Sequence, residues 1–160
     1  MSRHLRHEMT YDAPLADVWA MLADPAFREE VCDFQHVIRH DVTVEPRGEG
    51  MRVKIDQFHA ASGIPSFAKK FVGDEINIVQ TENWSTHTGG DIHVEIPGKP
   101  GDMTGTARLR ESGGVTTETV DFTIKVGIPL VGGKIEGLIS DLLLKALRAE
   151  QKVGRDYLSR

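Results

Sequence analysis

The sequence is poor in the residues that build cofactor and covalent sites. It has one cysteine, Cys32, so no internal disulfide can close and no second thiolate is available to hold a metal. Glu29 and Glu30 lie just before it and disfavour the thiolate, which argues against a nucleophile. No stretch approaches the ~20 apolar residues of a membrane span, and the opening residues lack the apolar core of a signal peptide. These absences lead to the expectation of a cytoplasmic protein without integral membrane association. Basic residues number 19 against 24 acidic ones and are scattered rather than gathered into a stripe, so the electrostatic footprint of a nucleic-acid binder is missing. Internal repeats, low-complexity tracts and cofactor motifs are also missing, and no cofactor is expected.

What remains is an ordinary globular composition. The 160 residues, 39% hydrophobic and 27% charged, predict one domain over residues 1–160, long enough to bury roughly two thirds of its unfolded surface. Residues 3–11 alternate, with Leu5, Met9 and Tyr11 on one side, which is the period of a half-buried strand. Pro14, with Asp12 as a candidate cap, starts a short helix through Leu22, and Asp24-Pro25 starts a second one to about Cys32. The period is then two up to residue 128, with strands expected near 35–45, 50–59, 70–84, 88–96, 103–111 and 115–127. Short turn-rich gaps between them imply antiparallel neighbours. Residues 60–67, ending Ile64-Pro65-Ser66-Phe67, have loop chemistry with an apolar tip and are a candidate lid. After Gly132-Gly133 the period changes: Ile135, Leu138, Ile139, Leu142, Ala146, Ala149, Val153 and Tyr157 form one face of a helix of about seven turns.

A seven-stranded sheet with one apolar face has to be covered by the only long amphipathic element available, so the helix is expected to lie in the curve of the sheet. Such a pair seldom closes without a cavity, and an apolar cavity is the default ligand site. The strings Leu22-Ala23-Asp24-Pro25, Glu82-Asn83-Trp84, Ile96-Pro97-Gly98-Lys99-Pro100-Gly101 and Pro129-Leu130-Val131-Gly132-Gly133-Lys134-Ile135-Glu136 carry a resemblance. With this order of elements, the chain resembles the actinobacterial family DUF2505 of the START/Bet v 1-like (SRPBCC) superfamily, over nearly its whole length. The resemblance implies an α+β helix-grip fold, a curved antiparallel sheet wrapped around the long C-terminal helix, and a cavity that takes lipids, polyketides or other hydrophobic molecules. It implies no catalytic set.

Strand parity names the candidate cavity residues. Val120, Phe122, Ile124 and Val126 share a face, as do Ile76, Ile78 and Trp84, and Met51, Val53 and Ile55 share theirs with Gln57 and His59. Trp84, Phe122 and Ile124, with Phe67 of the lid and Leu142 of the helix, are the candidate walls. Gln80 and Glu82 fall on the face of Trp84, while Glu150 projects within the helix arc of Ile139, Leu143 and Ala146, with Glu136 at its edge. A polar group on an apolar face implies a partner, since burying it unpaired costs about 1–3 kcal/mol. Glu82 and Glu150 therefore either orient a polar ligand head, act as general acid and base, or accept hydrogen bonds from nearby structural groups. His7, His40 and His59 sit on different strands, and His36 and His40, at a helical zinc spacing, would be roughly 13 Å apart on a strand, so no metal site is expected. Gly132-Gly133 either accepts an anion at the helix start or relieves crowding at a sharp turn. Three functions stay open: a carrier of a small hydrophobic molecule, a cyclase, aromatase or dehydratase-like enzyme using carboxylate or histidine chemistry, and an interaction module with a collapsed cavity. No residue is assigned a catalytic role, and the oligomeric state is left open.

Overall fold

The computed structural model describes residues 2–160. Strand β1 (Arg3–Tyr11) leads into helices α1 (Leu15–Leu22) and α2 (Pro25–Phe34), and six further strands follow: β2 (Arg39–Arg47), β3 (Gly50–Ala60), β4 (Glu75–Thr86), β5 (Gly89–Glu95), β6 (Asp102–Ser112) and β7 (Val115–Lys125). A short helix α3 (Ser66–Lys69) interrupts the β3–β4 connection, and the 27-residue α4 (Gly132–Leu158) closes the chain. The strands form one antiparallel sheet in the order β1-β7-β6-β5-β4-β3-β2, so β1 returns to pair with the last strand, Arg3 opposite Ile124 and Tyr11 opposite Thr116. This is the α+β helix-grip architecture that the element order predicts.

Local chemistry explains the boundaries, including those that differ from expectation. Asp24 caps α2 through its side chain, accepting from Ala26 N at 3.0 Å with Pro25 in the first turn. Asp12 does not cap α1. Pro14 takes the cap position, and the Leu15 N–H donates instead to the Glu111 carboxylate at 2.6 Å, so a distant strand supplies the acceptor. β2 starts at Arg39 because α2 runs on to Phe34 and His36 then turns the chain through a left-handed φ of 57°. β4 starts at Glu75 rather than 70 because Pro65 opens α3 inside the expected lid, and the turns after it occupy the chain to Gly73. At Gly132 the crowding explanation holds, since a Cβ there would stand 2.5 Å from Val126 O.

Antiparallel pairing sorts the connections by end. Two-residue turns at 48–49, 87–88 and 113–114 fall at one end, beside α1, and the longer segments 61–74, 96–101 and 126–131 gather at the other. Helix α4, about 40 Å long at 1.5 Å per residue, runs parallel to β1. Gly137 in its second turn lies beside the Arg3 guanidinium, while Arg155 near its end donates to Thr10 O at 3.2 Å. At the α1 end Met9, Tyr11, Val18, Met21, Leu22 and Phe27 are all 0% exposed.

Candidate functional site

The inner face of the sheet holds a group of charges that apolar periodicity alone would not place there. Arg28, one turn into α2, is 3% exposed. Its Nη1 and Nη2 donate to the two carboxylate oxygens of Glu82 on β4 at 2.9 and 3.0 Å, and its Nε donates to Leu22 O at 2.9 Å. Trp84 Nε1 and Gln80 Nε2 donate to the same carboxylate at 2.9 and 2.6 Å. Residues 80, 82 and 84 reach one point because alternate residues of a strand share a face. Desolvating two charges is unfavourable, and only a bidentate geometry with the remaining lone pairs satisfied offsets it. Glu82 meets that condition. Burial works to raise its pKa, but the charge of Arg28 and the four donated hydrogen bonds outweigh burial and hold it below the ordinary carboxylate value.

Two more carboxyl groups share this field. Glu118 on β7 is 3% exposed, and its Oε1 has no hydrogen-bond partner. Burial, reinforced by the negative charges of Glu150 and Glu82, pushes its pKa well above the ordinary carboxylate value. Glu150 on α4 is half-buried, and burial raises it to about 7, with Arg28 pulling it down and Glu82 pushing it up. Tyr11 on β1 is fully buried, its hydroxyl meets only Met9 Sδ at 3.9 Å, and burial together with Glu150 and Glu118 raises it well above 10.0. The group therefore holds a guanidinium, one carboxylate held below the ordinary range, one carboxyl pushed well above it and a second raised to about 7. Chemically it can donate a proton or accept hydrogen bonds, in surroundings drier than water.

The candidate residues divide into three sets. Gln80 and Glu82 are hydrogen-bonded to each other, and Glu150 lies in the field of Arg28 and Glu82, so the expected polar residues do converge. Trp84, Phe122 and Ile124 are buried in the inner face. The Trp84 and Phe122 rings lie against Gly90 and Gly105 on neighbouring strands, where a Cβ would stand 2.8 and 2.9 Å from them. Phe67 is half-buried in α3 with Lys134 Nζ 6.0 Å from its ring, and Leu142 is 40% exposed, so neither belongs to the packed core. Sequence reasoning missed Arg28, Glu118 and Tyr11. Glu118 shares parity with Val120, Phe122 and Ile124, and extending that face two residues back finds it; Arg28 carries no comparable signal.

The other candidates resolve simply. Glu136 is buried and accepts from Val126 N at 2.9 Å, which ties the start of α4 to the end of β7. His59 bonds Gln57 at 2.8 Å and His40 bonds Asp33 at 3.1 Å. His7 Nε2 is buried without a partner, and burial with the nearby Arg148 charge lowers its pKa. Burial and the charges of Asp33 and Glu29 push the Cys32 thiol up to about 11. Among the described residues no group of three or more His, Cys, Asp or Glu is arranged to hold a metal.

Space is unevenly distributed around this group. A cleft of about 410 Å³ opens where Thr10 and Tyr11 meet Arg155 and Leu158, and a groove of about 140 Å³ lies on the outer face between Thr43 and Arg52. Neither lies under the first half of α4. There, inward-facing Leu5, Ile78, Gln80 and Ile96 of the sheet and Ile139 and Leu143 of α4 stay half-exposed, although Met103 and Ile124 beneath them are buried.

Comparison with known proteins places the chain. A family model described as a protein of unknown function (DUF2505) matches residues 6–158. Uncharacterized proteins of Mycobacterium tuberculosis and Mycobacterium bovis are 30% identical over 103 residues, 60% of this chain and 59% of theirs, so the chain spans about three fifths of the length of these curated relatives. Among solved structures, a protein from Thermus thermophilus superposes with a TM-score of 0.66 at 17% identity, covering 96% of this chain and 95% of that one. The Zhui aromatase/cyclase from Streptomyces sp. R1128 does so with 0.66 at 14% identity, covering 100% and 95%. Norcoclaurine synthase from Thalictrum flavum, also solved with dopamine and hydroxybenzaldehyde, gives 0.64 at 14%, covering 100% and 88%. No helix is long and apolar enough to cross a membrane among the described residues. With the family match running from β1 to the last turn of α4 and the helix-grip topology shared with these structures, the chain belongs to the DUF2505 family and has the Bet v 1-like fold.

Proposed function

We propose that this protein binds a small hydrophobic molecule between the first half of α4 and the inner face of the sheet, with Gln80, Glu118 and Glu150 near its polar end. The observation that carries this reading is the partly exposed apolar lining: Leu5, Ile78, Ile96, Ile139 and Leu143 pack on the core yet are only half-buried, whereas Met9, Tyr11, Val18, Met21, Leu22 and Phe27 at the α1 end are fully buried. Soluble domains seldom leave inward apolar surface unfilled without a use. Two structures of this fold support the ligand class, an aromatase/cyclase and a synthase solved with small aromatic molecules. Native mass spectrometry of detergent-free protein, followed by organic extraction, is the test. A stoichiometric apolar adduct, lost in Ile78→Trp, is the expected result; an apo mass together with no uptake of an added apolar fluorophore would overturn the reading.

One observation favours a second reading, in which the bound molecule is also transformed. Burial and the charges of Glu150 and Glu82 hold the Glu118 pKa well above the ordinary carboxylate value, its buried Oε1 has no hydrogen-bond partner, and Glu150 in the same field is raised to about 7. A carboxyl in that state is suited to protonate a carbonyl oxygen of a ligand, with Glu150 suited to take a proton back. Turnover of the extracted compound that falls at least tenfold in Glu118→Gln, with ligand affinity kept, would select this reading.

A further inference from the structure

The loop end of the sheet carries a charge pattern opposite to that of the whole protein. The chain has a formal net charge of -5, yet segments 61–73, 96–101 and 126–134 contain Lys69, Lys70, Lys99 and Lys134 and no acidic residue. The three segments are neighbours. Lys134 Nζ stands 6.0 Å from the Phe67 ring, and a Cβ on Gly101 would touch the Val126 side chain at 3.6 Å. Of the acids just behind this rim, Glu75 is paired with Arg39 at 3.1 Å, leaving Asp74, Glu95 and Asp102, the last 3.4 Å from His93, against the additional cations of Arg3 and Lys125.

The same rim is apolar between its lysines. Leu130 is 102% exposed and is held there by a left-handed φ of 72°, a conformation that leucine rarely adopts. Ile64, Phe67, Phe71, Val72 and Ile128 are half-buried around it. Exposed apolar side chains interleaved with lysines, without acids, match the interface of a bilayer with anionic headgroups, where apolar groups enter the acyl boundary and lysines meet the phosphates. We propose that this end docks reversibly on an anionic lipid surface, with Leu130 and the α3 segment inserted and Lys69, Lys70 and Lys134 on the headgroups. The proposal does not depend on what the interior holds, and its position beside the accessible half of that interior would allow exchange of an apolar ligand with the bilayer.

The test is co-sedimentation of the intact protein with vesicles of phosphatidylcholine alone and of phosphatidylcholine mixed with phosphatidylglycerol. Binding to the mixed vesicles only, weakened by raised salt and by about fivefold for each lysine removed in K69Q, K70Q and K134Q, is the expected result. Leu130→Asp should abolish it, while Lys54→Gln and Lys145→Gln, elsewhere on the surface, should leave it unchanged. Equal sedimentation with both vesicle types, or binding unaffected in the triple lysine variant, would overturn the proposal. So would a dimer in solution that Leu130→Asp disrupts while vesicles capture nothing, since the rim would then belong to a second copy of the chain. All four lysines and Leu130 are solvent-exposed, so each variant is expected to fold, which circular dichroism would check.

Discussion

The two ends of the interior are built from the same strands and the same helix, yet they differ in what covers them. At the α1 end, Met9, Tyr11, Val18, Met21, Leu22 and Phe27 pack to zero exposure, and Tyr157 donates a hydrogen bond to Asp24 to bind α4 to α2. At the loop end, β1 continues to Leu5 and His7 and α4 to Ile139 and Leu143, all half-exposed. The difference lies in the covering layer. Helices α1 and α2 fill the space between sheet and α4 at one end, and the four-residue α3 is too short to do so at the other. The Arg28–Glu82 pair is the tie through which α2 reaches across the interior to β4.

The sharpest way to break the contrast is to remove that tie. Arg28→Met leaves Glu82 buried without its cation and is expected to cost about 3–5 kcal/mol in urea unfolding, whereas R28M combined with Glu82→Leu should recover most of the loss because no charge is left unpaired. Recovery that fails would show the pair to be more than a structural clamp. Next in size is truncation at the two ends. Phe27→Ala at the α1 end should cost about 3–5 kcal/mol, and Ile139→Ala at the loop end less than about 2 kcal/mol, since less burial is lost there. Equal losses would mean that the two ends are equally packed in solution.

The remaining contrast is in the dependence on pH. Glu150, raised to about 7, and Glu118, also raised, hold their protons more tightly in the folded protein than in the unfolded chain. Near pH 4 both states are protonated and neither residue carries a penalty. As pH rises from the ordinary carboxylate value through 7, the unfolded chain releases its protons first and stability falls. Glu150→Gln should therefore stabilise the protein at pH 8, with the gain over wild type closing near pH 4, as read from urea midpoints at each pH. Glu82, with its pKa lowered, acts in the opposite sense.

Much of the fold is legible in residue order. Period-two alternation places the strands, and the Gly132-Gly133 break with the apolar face after it places α4. The errors fall where a local signal was outvoted: Asp12 is a good cap in sequence, but Glu111 sits closer in space, and the lid loop holds a helical turn that its loop composition hides. For the site, Gln80, Glu82 and Glu150 stand out as polar residues on apolar faces, while Arg28 does not, because an arginine on a ten-residue helix reads as a solvated charge.

By itself the sequence determined the alternation, the turns and the single long amphipathic helix, because side-chain period and backbone chemistry act over a few neighbouring residues. Only the tertiary structure decided that Arg28 grips Glu82, that Glu118 stands near Glu150 with an oxygen unpaired, and that the inward face is more fully buried beside α1 and α2 than at Leu5, Ile139 and Leu143. Those outcomes depend on which groups meet across long stretches of chain, 54 residues for Arg28 and Glu82, and on the water excluded when they meet. Neither is written in local order.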